Sequence, residues 1–492
     1  MIGETRRQQS LFYAAFGREA ARIRDETLDA IEGLLDESLM HLVRERLSTR
    51  CPQSARTGRP GIAPDRLLRC CILKHIKGWS FRELEQELRC SLVYRQFTRF
   101  DSDPVPKYAT FSRAFAVLGS EVVEALHRAV VGMARAAKVT RGRKLRSDTT
   151  VVETNIHYPT DSTLLADGAR VLTRHISRIA QSCPRGKIRV REHKRAVLRR
   201  VLEINRAAKS AAEPSRDRLR SSYSKLLKIV RGIVRLGDRV VHDLESSESQ
   251  IVHLGDRTVP NLKNNKLQID GDDIVSVLRN WDALDHYLPL VKKVIEQATQ
   301  RVFGGDTRVP EKVLSLFESH SVAIRKGKAH KPTEFGRLVR IDEVENGIVS
   351  NYEISVGNPA DTNAWLPALS QHRSLFGRAP RLATADRGYF AAKNETAAIE
   401  QGVQRVALPA RGPLSAKRRA LQKTRWFRRA LRWRAGIEAR ISTLKHPFSM
   451  ARAFYKGENG FSRYVGWCVI AHNLVSIGRS LATRRQKGTT KR

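Results

Sequence analysis

Acid is what this chain is short of. Its 492 residues hold 50 Asp+Glu against 90 Lys+Arg, a formal charge of +40. Such an excess repels itself unless a polyanion is the working partner. Nucleic acid is the commonest one, because each neutralised phosphate releases condensed counterions. Long apolar runs are also missing. None approaches the roughly 18 residues of a spanning helix, and neither a clean amphipathic face nor a lipidation signal is present, so no membrane partner is expected. Met1-Ile2-Gly3-Glu4-Thr5-Arg6-Arg7 is not followed by a continuous apolar core, so no signal peptide is expected. The six cysteines, at 51, 70, 71, 90, 183 and 468, include no CxxC pair, which argues against a zinc site or a disulfide framework. Cys70-Cys71 lies in an apolar helical stretch and reads as core. What remains is ordinary for a soluble intracellular protein, with 41% hydrophobic and 28% charged residues, no internal repeat, and length for several domains.

Residues 1 to about 140 read as helical. Leu67, Leu68, Cys71 and Ile72 recur at helical spacing between Pro64 and His75, and Gly78-Trp79 ends that run. Ser80-Phe81-Arg82-Glu83 then has capping-box form and opens a second helix to about Leu88. Helix, Gly-containing turn, helix is the outline of a helix-turn-helix, and equally that of a plain packing hairpin. Leu145 to Val152 follows as a β-branched strand with Asp148 inside it. From about 165 to 300 the chain turns helical and very basic, as in Arg189 to Arg206 and Arg216 to Arg235. Val197, Leu198, Val201 and Leu202, then Leu226, Leu227, Ile229, Val230 and Ile233, mark packed faces there.

From about 312 strands return. Val339-Arg340-Ile341 and Ile348 to Tyr352 flank Glu345-Asn346-Gly347, a strong hairpin signal. Arg381 to Ala385 reads as a short strand ending at Asp386. Ala391 to Gln401 reads as a helix closed by Gly402. Val403 to Leu408 is another strand, and a long helix runs from about Trp426 to Lys445, stopped by His446-Pro447. The last dozen or so residues read as a basic, frayed tail. The order predicts an α/β layout with a mixed sheet.

Phosphodiester cleavage requires an activated oxygen nucleophile, a stabilised leaving oxygen and neutralised charge at phosphorus. Two Mg²⁺ ions about 3.5–4 Å apart can supply all three, and Mg²⁺ takes hard oxygen ligands such as carboxylates. Asp148 fits as the acid within a strand, and Asp386 as one at the carboxyl end of a strand, where ligands gather in open α/β sheets. Glu438 lies on a helix whose charged neighbours are nearly all cationic. Arg434, Glu438 and Lys445 fall within about 40° of one helical face. Taken alone, an acid between arginines is more simply a surface ion pair worth about 0–1 kcal/mol. Glu153, Asp161 and Asp167 compete with Asp148 for the first role. His157 reads as a loop histidine, Asp161 as a turn or cap residue, and Asp361 as a helix N-cap ahead of Thr362 to Leu369.

Three segments, Ser147-Asp148-Thr149-Thr150, Thr384 to Phe390 and Trp433 to Ile441, resemble those of bacterial insertion-sequence transposases of the DDE type. That family's third acid often sits in a Tyr-x2-Arg-x3-Glu-x6-Lys signature. Arg434, Glu438 and Lys445 match its last three members, while Leu431 stands where Tyr is expected. Residues 67–101, including Tyr94-Arg95-Gln96-Phe97, resemble the amino-terminal domain of many such enzymes. The resemblance implies a ribonuclease H-like mixed sheet with flanking helices, plus an all-helical amino-terminal domain and a helical insertion.

It also implies catalytic and metal-binding roles for Asp148, Asp386 and Glu438, holding two Mg²⁺ ions for which Mn²⁺ can substitute. Water, and then a 3′-hydroxyl, would attack phosphorus in line without a covalent protein intermediate. Arg387, Arg434, Arg440 and Lys445 become the expected DNA contacts. The expected partners are double-stranded DNA, as terminal inverted repeats and as target, and further copies of the chain as a homodimer or higher oligomer. The expected place is a bacterial cytoplasm, at the nucleoid. Four segments are expected. Residues 1–140 would bind DNA or dimerise, 141–164 with 301–446 would form the catalytic domain, 165–300 the basic insertion, and 447–492 a C-terminal helix and tail. The rival readings are a hydrolytic nuclease of the same fold and an inactive, DNA-binding descendant.

Overall fold

The computed structural model describes residues 3, 25–49, 61–183, 188–210, 212–245, 251–254, 257–260, 274–306, 308–325 and 332–489. Cys51, and all of Met1–Arg7 but Gly3, lie outside them. The chain packs as two units, one made of residues 1–155 with 324–492 and one of residues 156–323.

The first unit opens with helices α1 (Glu26–Glu32), α2 (Glu37–Ser48), α3 (Pro64–Lys77), α4 (Phe81–Cys90), α5 (Leu92–Thr98), α6 (Tyr108–Val117) and α7 (Gly119–Ala136). The punctuation expected around residue 80 is present. Gly78 caps α3 at φ +69°, where only glycine is unstrained. Ser80 and Glu83 then close a reciprocal capping box on α4, with Ser80 N–H donating to Glu83 at 2.6 Å and Glu83 N–H to Ser80 Oγ at 3.2 Å. α3 is buried nearly all round, Cys70 and Cys71 included. Arg69 is fully buried in it, forked onto Glu32 (Nη2–Oε1 2.9 Å) and donating to the Phe97 carbonyl. The quoted Tyr94-Arg95-Gln96-Phe97 block does packing work. Arg95 ties down the carbonyls of Leu88, Asp101 and Asp103, and Tyr94 stacks edge-on to Trp79. The exposed side of α4 carries Arg82, Glu83, Gln86 and Arg89.

The mixed sheet follows, and its first strand is longer than expected, β1 spanning Lys144–Thr154. After the second unit, the chain returns through β4 (Val322–Ile324), β5 (Glu334–Glu343) and β6 (Val349–Ile354). β5 pairs antiparallel with both β1 and β6, and Asn346 and Gly347 take φ +58° and +76° at the tip, as the Asn-Gly step requires. Helix α12 (Trp365–Phe376) leads to β7 (Leu382–Ala385), which runs parallel to β1. Helix α13 (Ala392–Glu400) ends with Gly402, at φ +94°, one residue past the cap Gln401. β8 (Arg405–Ala407) pairs parallel with β7. Helices α14 (Ala416–Lys423) and α15 (Arg425–Lys445), the two-residue strand β9 (Arg452–Ala453) and helix α16 (Gly457–Thr489) complete the unit. The sheet order is β4-β5-β1-β7-β8, with β6 on β5 and β9 on β1.

One hydrophobic core runs from Leu28 and Leu67 through Trp467 to Ile341 and Val406, so the N-terminal helices and the sheet share an interior. The expectation of a frayed tail over the last dozen residues is corrected, because α16 continues through Thr489. Its apolar residues from Phe461 to Ile477 anchor it in the core, and the polar end is carried on as further helical turns.

The second unit has its own core, formed by helices α8 (Asp161–Gln181), α9 (Lys194–Ala207), α10 (Glu213–Glu245) and α11 (Ile274–Phe303). Val197, Val201, Leu226, Leu227, Val230 and Ile233 are buried in it as expected, whereas Leu198 and Leu202 remain about half exposed. A two-stranded pair, β2 (Ile251–Leu254) with β3 (Arg257–Pro260), interrupts a stretch read as wholly helical. Gly168 approaches Val291 so closely that an added Cβ would sit 2.8 Å from a valine methyl, which sets how tightly two of these helices cross.

Candidate active site

The sheet register places the first two acids. Ser147 lies opposite Ala385 in the last register pair of the parallel β1–β7 ladder, so Asp148 and Asp386 each directly follow a paired position, Asp148 within β1 and Asp386 just past the end of β7. Neighbouring strands lie about 4.8 Å apart. β7 stops there, and the Asp386 carboxylate caps the 3-10 turn Arg387–Tyr389 by accepting the Arg387 N–H at 2.6 Å. Asp148 Oδ1 accepts its neighbour's amide, Thr149 N–H, at 2.7 Å. Residues alternate across a strand, so Asp148 shares a face with Arg146. That face is covered by α15, because Arg146 lies over the Trp433 ring (4.8 Å) and donates to the Trp433 carbonyl.

α15 brings in the third acid. Arg434 reaches Asp386 (Nη1–Oδ1 3.6 Å) and Glu438 one turn on (Nη2–Oε1 3.4 Å), so one guanidinium links the two carboxylates. Asp386 and Glu438 are 54% and 68% exposed, which leaves both open to a ligand from solvent. Gly436 permits the close approach, since a Cβ there would meet Arg146 Nη1 at 2.5 Å. Lys445 closes the helix half-buried, and Arg387 is exposed in the turn after Asp386.

Arg440 stands apart from these side chains. It lies on another face of α15, donates to Glu343 (3.3 Å) and to the His472 ring (2.8 Å), and so has its charge committed inside the molecule. Burial, and then the nearby Arg440, pull the His472 ring down to a pKa of about 3, which keeps it neutral and able to accept that bond. Glu343 is fully buried and also receives both arms of Arg146, at 2.9 and 2.6 Å. Beneath the exposed acids, a buried carboxylate thus fastens α15 to β1 through two arginines. This support was missed in the sequence, where its signal was acid and base in the interior of two strands.

The rival acids have other occupations. Glu153 is paired to Arg452 at 2.8 Å. Asp161 is buried within the second unit, bound by Arg301 (2.5 Å) and Gln297 (3.1 Å), and the cap of its helix is Thr160. Asp167 pairs with Arg170, and exposed His157 stands 3.6 Å from it. Asp361 corrects its expectation. The cap residue is Ala360, and Asp361 begins the 3-10 turn Asp361–Ala364 with its Oδ1 accepting from Thr149 Oγ1 at 2.9 Å. The Tyr389 hydroxyl is buried close by, and burial, followed by the charges of Asp361 and Asp148, holds its pKa well above the usual range.

The donor set suits a hard divalent cation, being all carboxylate oxygen, and the Arg434 guanidinium shows that the space between Asp386 and Glu438 accepts positive charge. Among the described residues no three His, Cys, Asp or Glu side chains already stand at metal-holding separations. The residues therefore fit such an ion in kind, with Arg434 as the present counter-charge between two of them.

A mixed sheet with one acid inside a strand, a second just past the end of its parallel neighbour and a third on a helix packed against them is the ribonuclease H-like arrangement of phosphoryl-transfer enzymes. Residues 18–116 match the family described as transposase domain (DUF772), and residues 320–474 match the transposase DDE domain. The chain belongs to the insertion-element transposases of the DDE type. No curated protein and no solved structure matches it. Enzymes of this family act on DNA and generally use divalent metal ions. No described helix is long and apolar enough to cross a membrane.

Proposed function

We propose that this transposase cleaves DNA at the ends of its element and joins the freed 3′ ends to target DNA, using Asp148, Asp386 and Glu438. The observation that carries the reading is that Asp148 and Asp386 directly follow the paired residues Ser147 and Ala385 of adjacent strands, with Arg434 linking Asp386 to Glu438. Asp148 and Asp386 would hold two Mg²⁺ ions, or Mn²⁺ in their place, and Glu438 would complete one site. When bound, the ions supply Lewis-acid stabilisation of the phosphorus oxygens and a more acidic nucleophile. Arg387, Arg434 and Lys445 grip phosphates beside the scissile bond, and Arg434 exchanges its two carboxylates for a phosphate as DNA arrives. Arg440 has no part in this grip, because its charge is spent on Glu343. Two element ends must be handled together, which favours a dimer or higher oligomer on DNA.

The test is strand cleavage of labelled element-end DNA with Mg²⁺. The native chain should cut at the repeat boundary and yield strand-transfer products. Asp386→Ala and Glu438→Ala should bind the same DNA and leave it uncut. Variants that cut as well as native protein would make these acids surface charges, and hydrolysis without joining would make the enzyme a nuclease.

A further inference from the structure

Asp361 stands at a junction that the three acids alone do not explain. Its Oδ1 accepts from Thr149, the residue after Asp148, at 2.9 Å. Its Oδ2 lies 2.7 Å from where a Cβ on Gly388 would be, two residues after Asp386, so the turn rests directly on this carboxylate. Thr149 points away from the α15 face that Asp148 serves. Asp361 therefore touches both acid-bearing segments from behind. The surroundings are rigid. Asn394 donates to the carbonyls of Thr362 (2.8 Å) and Tyr389 (3.2 Å), and Trp365 donates to the Asn394 carbonyl (3.2 Å). The buried Tyr389 hydroxyl has no hydrogen-bond partner among the described residues.

We propose that Asp361 is a positioning residue for the carboxylate pair, holding Asp148 and Asp386 at a fixed angle through Thr149 on one side and the Gly388 turn on the other. It touches neither substrate nor ion. It acts by restricting the two segments whose acids do, as partners behind a ligand shell commonly do. The proposal rests on the carboxylate reading above.

The experiment measures Mn²⁺ binding to the full chain without DNA, by the loss of the free-ion electron paramagnetic resonance signal, alongside cleavage rate and DNA affinity. Asp361→Ala should weaken Mn²⁺ binding by about 10–100-fold, the range for loss of such a supporting partner, and leave DNA affinity unchanged. Thr149→Val removes the donor and keeps the side-chain shape, so it should weaken Mn²⁺ binding in the same sense even if Asp361→Ala folds poorly. Asp361→Asn keeps an acceptor oxygen and should restore most of the binding. Native-like Mn²⁺ binding in Asp361→Ala and Thr149→Val overturns the proposal. So does a weak Asp361→Asn beside a native-like Thr149→Val, which would make the carboxylate itself a ligand. Asp386→Ala is the reference. If it too binds Mn²⁺ like native protein, the carboxylate reading fails and takes this proposal with it. If it alone loses binding, only the role of Asp361 falls.

Discussion

Lys74 should weaken the first unit at neutral pH, and by an amount that titration can read. Its side chain is 4% exposed on α3 and lies over the rings of Phe81 and Tyr455 at 5.0 Å each and of Tyr464 at 5.9 Å. Burial pulls its pKa from 10.5 to about 8. A folded pKa below the unfolded one means that the unfolded chain takes up the proton first as pH falls. Stability is therefore fully present above about 10.5, is lost as pH falls to about 8, and stays low below that. A shift of that size corresponds to about 3 kcal/mol at 1.36 kcal/mol per pH unit. The rings oppose it, because a desolvated ammonium over aromatic faces gains about 2 kcal/mol, which leaves a net penalty of about 1–3 kcal/mol.

Lys74→Met keeps the length and removes the charge. Urea unfolding followed by tryptophan fluorescence suits the test, since five of the six tryptophans belong to the unit that holds Lys74. Buried Cys71, Cys468, Tyr455 and Tyr464 also have raised pKa values; the two thiols feel the Lys74 charge, but burial keeps all four groups neutral in the folded chain between pH 8 and 10, so their titration in the unfolded chain is common to both proteins. The variant should be the more stable at pH 7, by about 1–3 kcal/mol, with the gap closing between pH 8 and 10. A native protein that is the more stable at pH 7, or a gap that does not change with pH, refutes the reasoning.

Glu343→Ala should cost about 3–5 kcal/mol in the same urea assay, because it strands Arg146 and Arg440 without their buried carboxylate; a loss below about 1 kcal/mol would contradict that. Gly336→Ala forces a Cβ to within 2.0 Å of the Val152 carbonyl oxygen, a backbone atom that cannot step aside, and should destabilise the β1–β5 pairing by about 1–3 kcal/mol or more. A thermal midpoint equal to native would contradict it. Arg387→Ala should lower the slope of log K for DNA against log salt by about one, whereas Arg440→Ala should leave that slope unchanged while lowering stability.

Much of the architecture was legible because it is written in local chemistry. Asn346-Gly347 specifies a hairpin, Ser80 and Glu83 a helix start, and His446-Pro447 a helix end, each through contacts within a few residues. The acids at 148, 386 and 438 were legible only together, through a family pattern, since no local signal ranks Asp148 above Asp161. Burial separates them: Asp161 is enclosed by Arg301 and Gln297, partners over a hundred residues away. The contacts of Arg440 and the place of Asp361 were hidden for the same reason. Spacing on a helix gives the side of the cylinder on which a residue lies. It does not say that Glu343 waits on that side, or that the residue after a Pro-Ala step turns back toward a strand two hundred positions earlier. The helical continuation to Thr489 was hidden by its polar composition, because the anchor lies upstream, between Phe461 and Ile477.

β1 does not end at Asp148. It runs six positions past Asp148 to Thr154, with Glu153 and Thr154 pairing to β9, Glu153 opposite Gly336 on β5, and Arg452 closing over Glu153. The second unit begins two residues later. The strand thus behaves as a moored line. Any pull or torsion entering from the large insertion meets a length of chain made fast on both flanks before it can reach the acid. A change of length or sequence within residues 156–323 therefore enters β1 beyond a stretch already paired, and leaves the register at Asp148 to the strands beside it.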